Sequence, residues 1–252
     1  MLRAIVYVLL AIVSVTQSRA REPLRVAAAA DLEPLLPPIL KQFQQTTGIV
    51  TTATYQSSAT LTTQIQNGAP FDLFLSADTG FPQRLIEAGV AEGPKPTTYA
   101  RGTLVLWTRK DSRLPLPSLD LFRNPALKRL SIANPDSAPY GRAAVAALNS
   151  LRLYDELKPR LVIAQNIGQA AQFVDSGNAD AGLISLTSAM TPRLTGNGSY
   201  FLIPRNLYPP IEQSAVVLKR TQQQPAARKL LDYLLTPSIQ AELALGGLTP
   251  VN

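Results

Sequence analysis

Residues 53–78, ATYQSSATLTTQIQNGAPFDLFLSAD, decide the fold. The stretch reads as a strand end, a serine-rich turn, a short helix, a Gly-Ala-Pro turn and a buried strand ending on Ser-Ala-Asp. Ser57, Ser58 and Thr60 sit where the helix begins. Leu61 and Ile65, four apart, face one side of it. Gly68 stands just past its last turn, where a left-handed residue is wanted. Phe71 to Leu75 is an apolar run of strand length, with Asp72 near its start. Hydroxyls and unpaired N–H groups at a helix start accept anions.

Outward from this stretch the same alternation repeats. Upstream, Leu24 to Ala30 is a buried strand, and Asp31 opens a helix carrying Leu35, Leu36, Ile39, Leu40 and Phe43. Pro37 and Pro38 belong in a first turn only, so the regular helix starts near Leu35 or its first turn is distorted. Gly48 caps it, and Val50 to Tyr55 is the second strand. Downstream, Thr79 to Ala88 is a helix ended by Gly89, and 93–98 is a loop. Thr103 to Thr108, holding the single tryptophan Trp107, is a strand at the first crossing between lobes. Strands follow at 130–133, 161–164 and 181–184, with helices at 118–122, 142–151 and from Asn166 to Val174. Phe173 to Ser185 echoes the central stretch as helix, glycine, aspartate, buried strand and serine, which suggests two similar lobes. Ser214 to Lys219 is a strand bringing the chain back, ahead of helices at 225–235 and 237–245. Such alternation implies α/β architecture with mostly parallel sheets.

The 252 residues include no cysteine and no histidine. That excludes disulfides, Ser-His-Asp and Cys-His catalysis, and zinc sites built on those ligands. Carboxylate pairs and Ser-Lys arrangements stay open. The net charge of +7 comes from scattered residues rather than a basic stripe, so nucleic acid is not an expected partner. Residues 1–20 read as a cleaved secretory signal, with Arg3, an apolar run from Ala4 to Val15 and Ser18-Arg19-Ala20 at the cut. The run is short for a membrane span, which points to an exported, periplasmic product.

In open α/β sheets, ligands bind beyond the carboxyl ends of the strands. Five strand-to-helix corners present small or polar groups there: Ala30-Asp31, Ser57-Ser58, Ser76-Ala77, Tyr140-Gly141 and Asn166-Ile167. Several aimed N–H groups can satisfy an oxyanion with no lysine or arginine touching it.

Ser-Ser-x-Thr-Leu followed by Gln-Ile-x-x-Gly-Ala-Pro-x-Asp-Leu-Phe-x-Ser-Ala-Asp resembles the periplasmic molybdate-binding proteins of ABC transporters, and the likeness extends over most of the chain beyond the leader. The resemblance implies a two-lobed fold, with residues 21–100 and 218–252 in one lobe and 101–217 in the other. It implies a monomeric receptor, without cofactor or enzymatic activity, that carries molybdate or tungstate to a membrane permease. Ser58 matches a serine giving hydroxyl and amide to the oxyanion; Ala77 and Ile167 match positions donating amides, and Tyr140 matches a position often held by alanine. Asp31 falls where the family has a ligand-binding serine, with Ala30 beside it at the same ligand-facing corner. A carboxylate beside a dianion is unfavourable unless it turns away, and Asp31 can cap its own helix and offer only its amide. Ser185 stands where some members have a ligand-contacting tyrosine. Arg142 pairs with Asp31 or faces solvent. These departures keep a receptor for another oxyanion or a small organic acid in view. An exported carboxylate or Ser-Lys hydrolase is the reading from a different class.

Overall fold

The computed structural model describes residues 22–251. The expected signal, residues 1–20, lies outside the described residues. Two sheets carry the fold. The first is built, in chain order, from β1 (Leu24–Ala29), β2 (Thr51–Gln56), β3 (Leu73–Ser76), β4 (Thr97–Gly102), β10 (Ile211–Val217) and β11 (Thr249–Pro250). The second holds β5 (Leu104–Arg109), β6 (Leu130–Ala133), β7 (Leu161–Ala164), β8 (Ala181–Ser185) and β9 (Gly198–Leu202). Flanking them are α1 (Leu36–Thr47), α2 (Ser58–Gln66), α3 (Gly80–Glu87), α4 (Pro139–Ser150), α5 (Tyr154–Leu157), α6 (Ile167–Asp175), α7 (Leu186–Ala189), α8 (Pro192–Asn197), α9 (Gln224–Leu234) and α10 (Pro237–Leu245).

The spatial order is β11-β4-β10-β3-β1-β2 in one sheet and β7-β6-β8-β5-β9 in the other. Each has a parallel trio, β3-β1-β2 and β8-β6-β7, with an antiparallel strand beside it, β10 against β3 and β5 against β8. The echo between the halves is therefore topological. It extends to side chains. Asp72 accepts the N–H of Arg25 at 2.6 Å at the start of β1, and Asp180 accepts those of Lys128 and Arg129 at 2.9 and 2.7 Å just before β6. Both aspartates tie a helix-to-strand turn to the neighbouring strand. Gly68 and Gly177 precede them at φ +88° and +83°, a region that glycine enters without a Cβ penalty.

Burial explains the first sheet. Side chains alternate faces along a strand. Val26 and Ala28 pack under Leu36, Ile39, Leu40 and Phe43 of α1, while Ala27 packs with Leu61, Ile65 and Phe74 on the opposite face. Both faces are covered, so β1 is apolar apart from half-buried Arg25. α1 starts at Leu36 with Pro37 in its first turn; ahead of it, Ala30–Leu32 form a single 3-10 turn. The prolines thus sit where their missing donor and fixed φ are tolerated.

Three strands were not expected: β4, β9 and the two-residue β11. β4 lies in a stretch of polar residues after two prolines, and only the residues from Thr103 onward read as strand. The crossing is made by β4 running into β5 with Thr103 alone between them. The return also moves. β10 pairs with β3 and β4 in the first sheet, so 211–217, expected in the second lobe, belong to the first. The second lobe closes with β9, whose short, half-exposed GSYFL run gives little apolar signal.

Candidate functional site

The parallel strands deliver their carboxyl ends to one place between the two sheets. A cavity there is lined by Ala30 and Asp31 after β1, Ser57 and Ser58 after β2, Ala77 after β3, Ala138 to Tyr140 after β6, and Asn166 and Ile167 after β7. Its volume is about 10 Å³. A space this small excludes a sugar or a peptide. A much larger open groove of about 980 Å³ lies between the 92–98 loop and α9; it touches one lobe only and no strand-to-helix corner except Thr79.

The five corners are brought together as the sequence implies. Ser58, Ala77, Tyr140 and Ile167 are all at most 3 % exposed. Ser57, the N-cap of α2, accepts the amide of Thr60, and Asn166 caps α6 by accepting that of Gln169. Capping leaves the first-turn amides of Ser58 and Ile167, and that of Tyr140 in α4, with no acceptor among the described residues. Such amides carry the positive end of the helix dipole. Ser58 Oγ accepts the Ala77 amide at 3.1 Å, which leaves its hydroxyl proton to donate elsewhere. Every donor is uncharged. Asp31 and Tyr140 are the ionisable side chains in the lining.

The lobes are in contact across this cavity. Ala59 N–H, in the first turn of α2, donates to the Ser137 carbonyl at 3.1 Å. Arg142 pairs with Asp78, and its guanidinium lies 5.3 Å from the Phe81 ring centre. It therefore neither pairs with Asp31 nor faces solvent alone. Ala29, Ala30 and Ala77 join the apolar cluster of the second lobe.

Asp31 is fully buried and does not cap its helix. Its Oδ2 accepts the Tyr140 hydroxyl at 3.1 Å and the Gln213 carboxamide. The Tyr99 hydroxyl donates to Gln213 Oε1 at 3.2 Å, so the carboxamide presents its N–H to Asp31. Burial pushes the carboxyl up to about 6, against the pull of these hydrogen bonds. Burial and the neighbouring Asp31 hold the Tyr140 hydroxyl protonated far above neutral pH. Gln213 carried no signal in the sequence; only its alignment beside β3 brings it to Asp31.

Ser185 is brought elsewhere. It caps α7 by accepting the Ser188 amide at 3.2 Å, and its Oγ lies 2.9 Å from those of Thr187 and Ser188. It is absent from the cavity lining. The Thr187 hydroxyl donates to the Asp31 carbonyl at 2.7 Å, so this corner steadies the Asp31 turn from behind. Asp72 and Asp180 also lie away from the cavity.

Residues 24–249 match the model of a family described as bacterial extracellular solute-binding protein. The chain is 42 % identical over 214 residues to the molybdate-binding protein ModA of Azotobacter vinelandii, covering 84 % of each. It is 38 % identical over 195 residues to ModA of Rhodobacter capsulatus, covering 77 % of this chain and 75 % of that one. The structure of the Azotobacter vinelandii periplasmic molybdate-binding protein superposes with a TM-score of 0.85 at 32 % identity, over 91 % of this chain and 100 % of that one. A sulfate-binding protein from Mycobacterium tuberculosis, 17 % identical, shares the fold at a TM-score of 0.76. The chain belongs to the bacterial extracellular solute-binding proteins.

Proposed function

We propose that this protein captures molybdate, or the isosteric tungstate, in the cavity between its lobes and delivers it to an ABC permease from the periplasm. The observation that carries this is the convergence of uncharged donors from both lobes on one small space between them: the Ser58 hydroxyl and the amides of Ser58, Tyr140 and Ile167. Donors fixed by folding need no reorganisation to replace the water of an ionised oxyanion. The Ala77 amide, held by Ser58 Oγ in this closed form, stands next to the same space. The molybdate-binding relatives supply the ligand's identity. The cavity lacks a Ser-Lys pair, and Asp31 has no carboxylate partner in the lining, which favours a receptor over a hydrolase. Among the described residues no helix is long and apolar enough to cross a membrane.

Calorimetric titration of the protein without its leader tests this. Saturable heat with molybdate at one site, and at least about tenfold weaker binding of sulfate, is expected. No heat with molybdate, or equal affinity for sulfate, overturns it. A Ser58→Ala substitution removes one hydroxyl donor to a charged ligand, worth about 1.5–3 kcal/mol, so affinity falls roughly tenfold to a hundredfold.

A further inference from the structure

Asp31 has one oxygen without a role. Its Oδ2 takes both donors, while Oδ1 is buried with no hydrogen-bond partner among the described residues. The groups that face this carboxyl are neutral: Gln213 from β10, Tyr140 from α4 and its own backbone N–H, and Tyr99 from β4 behind Gln213, with Thr187 from α7 on its carbonyl. Tyr208 stands beside Tyr140. Glu33, two residues on, is exposed. The nearby cation, Arg142, is engaged by Asp78.

An anion in this cavity would therefore meet a carboxylate with no positive charge to offset it. Two like charges a few ångströms apart in a buried site cannot both stay ionised without a large cost. One proton removes the conflict. We propose that the site takes up its anion together with one proton, held between Asp31 Oδ1 and an anion oxygen. This rests on the oxyanion reading above. The proton comes from solvent, and the balance is the same for either arrangement. A carboxyl O–H can donate to a dianion, or the carboxylate can accept from an anion that brings its own proton. All contacts are to the oxygens of the oxyanion; no side chain ligates its metal. Burial already raises the proton affinity of this carboxyl to about 6, still ionised at pH 7.5 but close enough to neutrality for an anion to bring the proton on. Asp31 then becomes a specificity residue, favouring oxyanions that accept or carry a proton over those that do neither.

Calorimetry with molybdate at pH 7.5, in two buffers of different ionisation heat, reads the proton directly. Uptake of close to one proton per anion is expected. The Kd should weaken by up to about tenfold per pH unit between pH 7 and 9. In Asp31→Asn the carboxamide oxygen can keep Tyr140 and Gln213 while Nδ2–H stands where Oδ1 was, imitating the protonated carboxyl. That variant should bind with no proton uptake, with a flat pH profile, and at least about tenfold tighter than the parent at pH 8.5. Binding by the unaltered protein with zero uptake and a flat profile overturns the coupling and leaves the oxyanion reading intact. Absence of binding to molybdate, phosphate and sulfate at every pH overturns both. If Asp31→Asn does not fold, the two-buffer measurement on the unaltered protein decides alone.

Discussion

Asp31 and Asp78 follow strands of one sheet, β1 and β3, and each holds the second lobe through a residue of α4. Their surroundings are opposite. Asp31 is fully buried, and its partners are a phenol and a carboxamide. Asp78 keeps 19 % of its side chain exposed and is met by Arg142, which is 44 % exposed. The buried one has no cation to hold it ionised and sits against the cavity. The outer one has its cation and sits at the edge. Closure of one pair of lobes thus uses two different physics, one sensitive to protons and one to salt.

The comparison breaks most severely if α4 moves, because Tyr140 and Arg142 flank Gly141. A Cβ on Gly141 would meet the backbone of Ala133 and Asn134, with Asn134 C and O at 2.8 Å. Main chain cannot swing aside, so Gly141→Ala should lift the first turn of α4 off β6. We expect a loss of about 1–3 kcal/mol and abolished anion binding, read by denaturant melts and titration. Retained binding would show that the clasps tolerate a shifted helix.

Asp31→Asn sharpens the buried half. The folded carboxyl is raised from 3.8 to about 6, so the folded state holds more protons than the unfolded one between those values. Stability then falls as pH rises through that window, by on the order of 2–3 kcal/mol. The variant should lack this component. The difference between the two melting-temperature profiles from pH 4 to 7 checks it, since other carboxylates cancel.

Ser185→Ala acts behind Asp31 and not on Asp78. Loss of the α7 cap should cost about 1 kcal/mol, with anion affinity changed by less than about threefold. A large loss of affinity would place Ser185 in the site after all. The smallest effect is expected for Asp78→Asn. An exposed pair contributes about 0.2–1 kcal/mol, so affinity should drop severalfold at low ionic strength and match the parent at 1 M salt.

Much of this was legible in the order of residues. Ser57 and Gly68 bounded α2, and the observed helix is Ser58–Gln66. The four corners from Ser58 to Ile167 could be read because each is a local signature: a cap, a small residue, a strand end. What could not be read is non-local. Asp31 meets Tyr140 across 109 residues and Gln213 across 182, and no pattern within β1 announces either. The same reason misplaced the return strand. Ser214 to Lys219 looked like a strand, but only pairing with β3 and β4 tells which sheet it enters. β4 and β9 escaped because Thr, Arg, Gly and Ser interrupt any apolar run in them, and β11 because two residues form no pattern.

The bond from Ala59 to Ser137 is of another kind, since both of its atoms are main chain. No ordinary side-chain replacement deletes it, neither acid nor salt titrates it, and any residue but proline at 59 supplies the donor. Homologues can therefore drift in every clasping side chain around the cleft and still inherit one constant grip, a floor beneath which mutation cannot easily take the closed form.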